Sequence, residues 1–471
     1  MSIQRTITLL LCLCILPVRM AVAQFSGGSG TSGDPWQIAN ATDLHHVDDT
    51  VTYYDDHFIL TASIDWGDVS TNFPLFPRQN QGGREDGIAA FGGAFTFGGT
   101  FDGNGYVISN STRCFFDGGR PPQGGSAGVV RNVIITNALV ACTYHVYDSV
   151  GRGHGVYYAT DNNNTPGMQF YNCQAYGVIT NTQSSYATGG LIGSAASSVI
   201  VSNCVVDVDV YGFGPSGGII GSMGSTANIK NSHTYGLVNT TSGNDVGGMV
   251  GQLAGGTIFQ SSAHGEVHQS PGFYAGGLVG EISGSGTIRE CFATGDVRSS
   301  GEHAGLVGAT VSGTDNTLMI DSYATGNAIG SYSGNRTGGF MGEYARFGTG
   351  HIIENCYSTG DMNSGSGGGF SGQMSTSGGI ISNCFAAGGT VAGQGFHAGN
   401  GVVYNSYWTN SASSDSFATK VGNESYFYAA NAPIDEWDTT GVWCLDGSSL
   451  PCLRWDENCC PPAEGMVVIF E

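Results

Sequence analysis

The stretch that decides the fold is Gly276-Gly277-Leu278-Val279-Gly280 (GGLVG), because variants of it recur along the chain. Each copy has a glycine pair or Ala-Gly, then two mostly apolar residues and a final glycine. The seven copies are Gly189–Gly193, Gly217–Gly221, Gly247–Gly251, Gly276–Gly280, Ala304–Gly308, Gly338–Gly342 and Gly368–Gly372. The steps between them are 28, 30, 29, 28, 34 and 30 residues. A period in this range predicts a solenoid, in which each repeat buries its apolar side against the next one.

A second column runs in step with this glycine core. About ten residues after each core, a polar residue is followed by Cys or Ser. The seven pairs are Asn203-Cys204, Asn231-Ser232, Gln260-Ser261, Glu290-Cys291, Asp321-Ser322, Asn355-Cys356 and Asn383-Cys384. Asn172-Cys173 precedes this series and Asn405-Ser406 follows it. Short β-branched or aromatic runs bounded by Gly, Ser and Asn indicate three strands per repeat. The predicted fold is all-β: a parallel β-helix (β-solenoid) of about nine or ten rungs, right-handed by the crossover rule, with N- and C-terminal caps.

The composition is consistent with an elongated repeat protein and argues against some classes of binding partner. Glycine makes up 78 of 471 residues and charged residues only 11%, against roughly 7% and 25% in ordinary proteins. The formal net charge of −22 argues against nucleic acid and anionic membranes as partners. The acids are dispersed, so no metal site or cofactor is assigned. They leave open calcium binding and an acidic, calcium- or mineral-associated matrix protein as an alternative function.

The chain divides into four predicted segments. The segments are a signal peptide at 1–23, an N-terminal cap with the first β-helix strands at 24–125, the repeats at 126–410, and a cysteine-containing C-terminal cap at 411–471. The first combines Arg5, an apolar stretch and the small-x-small site Ala21–Ala23, as secretory leaders do. That apolar stretch is too short to span a bilayer. We therefore expect a secreted or cell-surface protein without membrane insertion.

The cysteines form two groups. Five share the repeat column in which Ser also occurs, which predicts small buried residues: Cys173, Cys204, Cys291, Cys356 and Cys384. Those on adjacent rungs, Cys173 with Cys204 and Cys356 with Cys384, are also near enough to pair. The other group is the set of disulfide candidates Cys444, Cys452, Cys459 and Cys460. Its four members permit three connectivities.

The repeated core and the run that follows it, such as Phe292–Val297 (FATGDV), resemble the GLUG repeat of secreted and cell-surface bacterial proteins. The flanks are also similar: Gly27–Thr31 with Trp36 resembles the entry segment of such proteins. Pro451–Trp455 (PCLRW) resembles their closing segment. The resemblance implies a β-helix with an adhesive or structural role. It does not imply a particular chemistry, because folds of this kind host many functions.

One column offers candidate contact residues for a glycan or an extracellular protein surface. Aromatic side chains occupy the same repeat position on successive rungs, at Phe292, Tyr323, Tyr357, Phe385 and Tyr407. If this column faces outward, it forms a ladder on which sugar rings could stack. If it faces inward or lies under a loop, it is core, since aromatic stacks stabilise solenoids without further purpose.

Catalysis is the main alternative, although no complete catalytic motif occurs. A β-helix hydrolase or lyase needs carboxylates from neighbouring rungs on one face. Two columns offer them: Gln252, Glu281, Glu343 and Gln373 after the glycine core, and Asp296, Asn327 and Asp361 in a turn. Candidate glycosylation sequons stand at Asn40, Asn110, Asn163, Asn239, Asn335 and Asn423.

Overall fold

The structure is a computed structural model. It describes residues 25–47, 55–67, 97–112, 114–115, 127–142, 153–156, 158–160, 167–182, 186–195, 198–311, 316–330, 334, 336–343, 350–363, 367–374, 379–389, 393–397, 402–409, 415, 418–428, 436–456 and 459. The predicted signal peptide lies outside these residues, as do Asn163, Asn335 and Cys460. The described chain is a parallel β-solenoid, as the sequence predicts.

The longest sheet, S1, holds thirteen parallel strands. They are Trp36–Ile38, His57–Leu60, Thr100–Asp102, Val129–Arg131, Gln169–Tyr171, Ile200–Ser202, Asn228–Lys230, Gly256–Phe259, Gly286–Arg289, Leu318–Ile320, His351–Glu354, Gly379–Ser382 and Val402–Tyr404. This exceeds the expected nine or ten rungs, because the stack continues upstream of the first glycine core. Those early strands alternate buried and half-exposed residues, as in Thr100–Asp102 with Phe101 fully buried.

The second sheet, S2, begins with undivided strands, three of which have eight or nine residues, and then divides into two parallel ladders. The undivided strands are Ile64–Asp65, Val107–Ser109, Ile134–Cys142, Gln174–Asn181 and Val205–Gly212. The first ladder continues through His233–Thr234, Ser262–Ala263, Phe292–Ala293, Tyr323–Ala324, Tyr357–Ser358, Phe385–Ala386, Tyr407–Trp408 and Thr419–Lys420. The second continues through Val238–Thr240, Val267–Gln269, Val297–Ser299, Ala328–Gly330 and Met362–Asn363.

The glycine core lies where the chain passes between two further seven-stranded sheets. Sheet S3 contains Gly153–Gly155, Ala187–Gly189, Ser216–Gly217, Val246–Gly247, Ala275–Gly276, His303–Ala304 and Thr337–Gly338. Sheet S4 contains Tyr158–Thr160, Ile192–Ala195, Ile220–Met223, Val250–Leu253, Val279–Ile282, Val307–Thr310 and Met341–Glu343. The glycine pair thus divides the third predicted run into two strands, a division that the sequence analysis does not foresee.

Close backbone approach explains the glycine core. A Cβ on Gly277 would lie 2.0 Å from the carbonyl oxygen of Gly305, and one on Gly305 would lie 2.2 Å from that of Gly339. These glycines do not have positive φ, so they are required for space and not for a special turn. The apolar residue after each pair fills the interior, where Phe340, Phe370 and Phe396 stack with centroids 4.7–4.8 Å apart.

The polar residue before each Cys or Ser turns the corner from S1 to S2. Nine such residues have φ between 44° and 55°: Asn172, Asn203, Asn231, Gln260, Glu290, Asp321, Asn355, Asn383 and Asn405. Asn132, which precedes Val133, has φ 53° as well. Asn adopts this left-handed conformation more readily than most residues. The next side chain points inward and donates to the carbonyl two residues back, as Ser232 does at 2.8 Å and Cys291 at 3.1 Å. Ser and Cys interchange there because both can donate.

Helical and antiparallel elements lie near the two ends. One α-helix, Ala41–His46, is capped by Asn40, whose side chain accepts from the amide of Asp43. A 3-10 helix, Glu424–Phe427, and an antiparallel pair, Trp443–Cys444 with Cys452–Leu453, belong to the C-terminal segment. A disulfide joins Cys452 to Cys459, and Cys444 is disulfide-bonded as well. A bridge in the predicted terminal cysteine group is thereby confirmed.

Candidate functional site

The aromatic column forms an outward-facing stack on the first ladder of S2. Phe292, Tyr323, Tyr357 and Phe385 stack in parallel, with ring centroids 4.7–4.9 Å apart. The in-register pairing of Phe385 with Tyr407 extends the column. Their neighbours in the strands, such as Ala293 and Ala324, point into the core. The side chains therefore point away from the interior of the rod.

The C-terminal segment covers this stack. Trp455 lies 6.1 Å from the rings of both Phe292 and Tyr323. Trp443 packs on Tyr357 and Phe385. Tyr323 and Tyr357 are only 7% exposed and Phe385 is fully buried. In this arrangement the column anchors the C-terminal segment, and no sugar ring can stack on its covered part.

A polar groove of about 410 Å³ runs along the second ladder of S2. Its wall is the in-register column of Asn239, His268, Arg298 and Ile329. Its floor is the next column, Thr240, Gln269, Ser299 and Gly330. Thr241, Ser270 and Ser300 form the rim. Four successive rungs thus present mainly hydroxyl and amide groups to one continuous space, whose volume suits a small ligand.

Hydrogen bonds hold the floor in place. Gln269 Nε2 donates to the carbonyl oxygens of Gly243 at 2.8 Å and Phe273 at 2.6 Å. Its Oε1 accepts from Ser299 Oγ at 2.9 Å. A buried glutamine that is tied on both sides keeps one orientation, so the floor is preorganised.

Two buried polar atoms at this groove lack a partner within the described residues. One is Thr240 Oγ1, on a floor residue that is 1% exposed. The other is Nε2 of the fully buried His303, whose Nδ1 contacts the carbonyl oxygen of Gly301 at 2.7 Å. The imidazole lies directly behind Gly330, where a Cβ would meet it at 2.6 Å. Burial lowers the pKa of His303. Both atoms are buried beneath the surface of the groove, so a ligand in the groove would not reach them.

The carboxylates proposed for catalysis lie apart. Glu281 and Glu343 are both in register with Ala309, which separates them by one rung. Gln252 donates to Glu281 at 3.2 Å, while Glu343 lies 3.5 Å from Arg336. The acid beside Glu281 is instead Asp245, which sequence reasoning missed. Burial, followed by the charge of Glu281, raises the pKa of Asp245 to about 9.

The acids of the turn column stabilise the backbone. Asp296 Oδ1 accepts from the amide and side chain of Asn327 at 3.0 and 2.8 Å. Asn327 Oδ1 accepts from the amide of Asp361, and Asp361 Oδ1 accepts from the amide of Gly389 at 2.7 Å. This chain of bonds joins consecutive rungs and accounts for the repeated acids without catalysis.

The repeat cysteines are buried free thiols. Their thiols donate to main-chain carbonyl oxygens, as Cys173 does to that of Tyr171 at 3.4 Å and Cys384 to that of Ser382 at 3.0 Å, and none of the five forms a disulfide. Burial raises the pKa of the Cys291 thiol to about 12, which makes that thiol a poor nucleophile.

The sequons that the structure describes differ in surroundings. Asn40 caps the α-helix, and Asn110 donates to Asp65 at 2.8 Å. Asn423 is exposed before the 3-10 helix, whereas Asn239 lines the groove. A glycan on Asn239 would therefore lie at the mouth of the groove.

These features define an elongated β-solenoid with a polar groove on its surface. The GLUG motif matches residues 272–298, which pass through the groove. The chain is therefore a β-helix protein that carries a GLUG motif at these residues, as its sequence predicts.

Two further proteins are similar to it. Halomucin of Haloquadratum walsbyi (strain DSM 16790 / HBSQ001) is 32% identical over 349 residues, which is 71% of this chain; the chain matches only 4% of the length of halomucin. The crystal structure of a putative immunoglobulin A1 protease from Bacteroides ovatus is 18% identical, with a TM-score of 0.36 over 92% of this chain and 96% of that one. Nothing about function follows from a likeness of that size.

Two negative findings hold for the described part of the chain. No helix there is long and apolar enough to cross a membrane. No group of three or more His, Cys, Asp or Glu side chains there is arranged to hold a metal ion.

Sequence reasoning missed the groove because its residues are ordinary polar ones. The sequence feature that could have indicated the groove is the second strand of each repeat, where Asn239, His268 and Arg298 occupy one position. Only the three-dimensional register shows that the next residues form a floor beneath a common rim.

Proposed function

We propose that the chain is a secreted adhesive or structural protein that binds a glycan in the groove over Thr240, Gln269, Ser299 and Gly330. The observation that carries this proposal is the preorganised floor, in which Gln269 is hydrogen-bonded to Gly243, Phe273 and Ser299 beneath a lining of mainly hydroxyl and amide side chains. A polyhydroxylated ligand supplies donors and acceptors that match such a lining.

The lining also favours a sugar over a protein loop. Its floor and rim carry small hydroxyl and amide side chains, and its one apolar wall residue is Ile329. Arg298 and His268 are already engaged with Asp296 and Glu266, respectively. The groove therefore offers hydrogen bonds without a strong net charge, which suits a neutral glycan better than a charged polymer.

The test is a glycan-array screen of the mature chain, followed by titration of each retained glycan. The protein is produced without N-glycosylation, because Asn239 lines the groove. Thr241→Trp should block the groove and abolish binding, whereas Thr325→Trp, on an exposed position of S2 outside it, should leave binding intact.

Three results would contradict the proposal. Binding that survives Thr241→Trp would place the glycan elsewhere, and binding to no glycan would remove the function. Shortened or unsaturated products would support the alternative of a polysaccharide hydrolase or lyase. Arg298→Ala removes a positive charge in the groove, and Lys230→Ala removes one on S1, outside the groove. Weaker binding in the first variant alone would indicate a contact in the groove, whereas weaker binding in both would indicate a general effect of positive charge.

A further inference from the structure

A short acidic residue lies between two tyrosines on the outer face of S2. Tyr176 pairs in register with Asp207 on the next rung. The amide of Tyr235 donates to the carbonyl oxygen of Val206 at 2.9 Å, which places Tyr235 beside Asp207 on the rung after that. All three side chains point away from the core, since Ala175, Val206 and Thr234 are the buried residues that precede them.

The two rings form the walls of a slot. Tyr235 is 49% exposed, and one face of its ring stacks on His264 at 4.7 Å and 5°. Its other face is turned toward the rung of Asp207. Tyr176 Oη donates to Gln174 Oε1 at 3.0 Å, which holds that side chain along its own strand. The much shorter aspartate leaves a gap one rung wide between the rings.

The carboxylate at the base of this slot has no partner. Asp207 is exposed and makes no hydrogen bond or ion pair in the described part of the chain. Two other acids of this surface are engaged: the exposed Glu266 contacts His268, and the half-buried Asp209 accepts from the amide of Leu237. The slot therefore combines an unpaired negative charge with two aromatic walls.

The distance between the two tyrosine rings indicates which class of ligand fits the slot. Strands lie about 4.8 Å apart, so two rungs separate the tyrosines by about 9.6 Å. A cation halfway between them lies about 4.8 Å from each ring, inside the range of about 6 Å for cation–π attraction. We propose that Tyr176, Asp207 and Tyr235 bind a quaternary ammonium group of the choline type. The net charge of −22 favours the approach of such a cation.

The site is separate from the proposed glycan groove, since Tyr235 precedes the groove residue Asn239 by a turn and lies on the other ladder of S2. A neutral sugar could also stack on tyrosine, but it would gain nothing from the unpaired charge of Asp207. The test therefore compares a cation with a neutral molecule of the same shape.

The experiment titrates the whole chain with choline chloride and with 3,3-dimethyl-1-butanol, its neutral isostere, by calorimetry or ligand-observed NMR. Choline should bind saturably, at least about tenfold more tightly than the isostere, and more weakly as salt increases. Asp207→Asn and Tyr235→Ala should each weaken choline binding by about tenfold or more. Tyr235→Phe should retain it, because the ring remains.

Tyr404→Ala, which removes an exposed tyrosine from S1, should leave choline binding unchanged. Equal binding of the two probes, or binding insensitive to Asp207→Asn, would overturn the proposal. Absence of choline binding would also overturn the proposal. Binding of neutral monosaccharides in place of choline, if it depends on Tyr235, would overturn it as well. Circular dichroism of each variant distinguishes loss of the site from loss of the fold.

Discussion

The phenol of Tyr323 donates a hydrogen bond of 2.5 Å to the carboxylate of Asp456, 133 residues further along the chain. Trp455, the neighbour of Asp456, donates from its indole to the main-chain oxygen of Asp321 at 2.8 Å. Both bonds join the C-terminal segment to the same rung. The segment is therefore fixed at defined points, with the aromatic column as its contact surface.

Removing the Tyr323–Asp456 bond should loosen this segment. Tyr323→Phe keeps the stacked ring, and Phe already occupies this column at 292 and 385. The substitution removes one hydrogen-bond donor of the buried Asp456 carboxylate and should cost about 1.5–3 kcal/mol. We expect faster amide exchange over residues 436–456, measured by hydrogen–deuterium exchange, with little change in the S1 strands.

The control for that experiment is Tyr404→Phe, at an exposed position of S1. It removes a phenol far from the C-terminal segment and should leave exchange over 436–456 unchanged. Unaltered exchange in Tyr323→Phe would show that packing of the tryptophans alone holds the segment.

The glycine core should tolerate no side chain. Gly277→Ala would bring a Cβ to 2.0 Å from the carbonyl oxygen of Gly305, which forces adjacent rungs apart. We expect a loss of about 3 kcal/mol or more, at the upper end of overpacking effects, measured by chemical or thermal unfolding. Gly33→Ala is the matched control, because nothing lies within 4 Å of that Cβ. Equal stability of the two variants would refute the close-approach explanation.

The contribution of the corner residues to stability should depend on their backbone conformation as well as on their hydrogen bonds. Asn355 has φ 54° and donates to Asp321 Oδ1 at 3.0 Å. Asn355→Ala loses the bond and keeps a side chain in the left-handed region, at an extra cost of about 1–2 kcal/mol. Both variants also lose the bond that Asn355 Oδ1 accepts from Asn383 at 3.3 Å. Asn355→Gly has no Cβ to strain the left-handed conformation, so it should be the more stable variant in urea unfolding. The reverse order would show that the backbone conformation is not what selects Asn here.

The sequence predicts those parts of the fold whose residues recur at a fixed spacing along the chain. The glycine core occurs seven times and the polar-Cys/Ser pair nine times at a nearly fixed spacing, so they predict the solenoid and its interior. The covering of Tyr323 and Tyr357 is not predictable in this way, because it comes from Trp443 and Trp455, which lie outside the repeat. The groove and the slot depend on which side chains the register brings together. Ala138 opposite Gly177, where the S2 register shifts, shows that spacing alone does not fix that register.

The buried acid Asp245 should make stability depend on pH. Burial and then the Glu281 charge raise its pKa from 3.8 to about 9, so the folded chain retains a proton that the unfolded chain releases between these values. Stability should therefore fall as the pH rises from about 4 toward about 9. Asp245→Asn, which cannot ionise, should flatten this part of the profile and raise the melting temperature most at alkaline pH. Melting temperatures at about pH 5 and about pH 9 measure the effect, with Asp34→Asn on an exposed turn as the control. If the melting temperatures of the wild type and of Asp245→Asn changed equally between these two pH values, Asp245 would already be ionised in the folded chain.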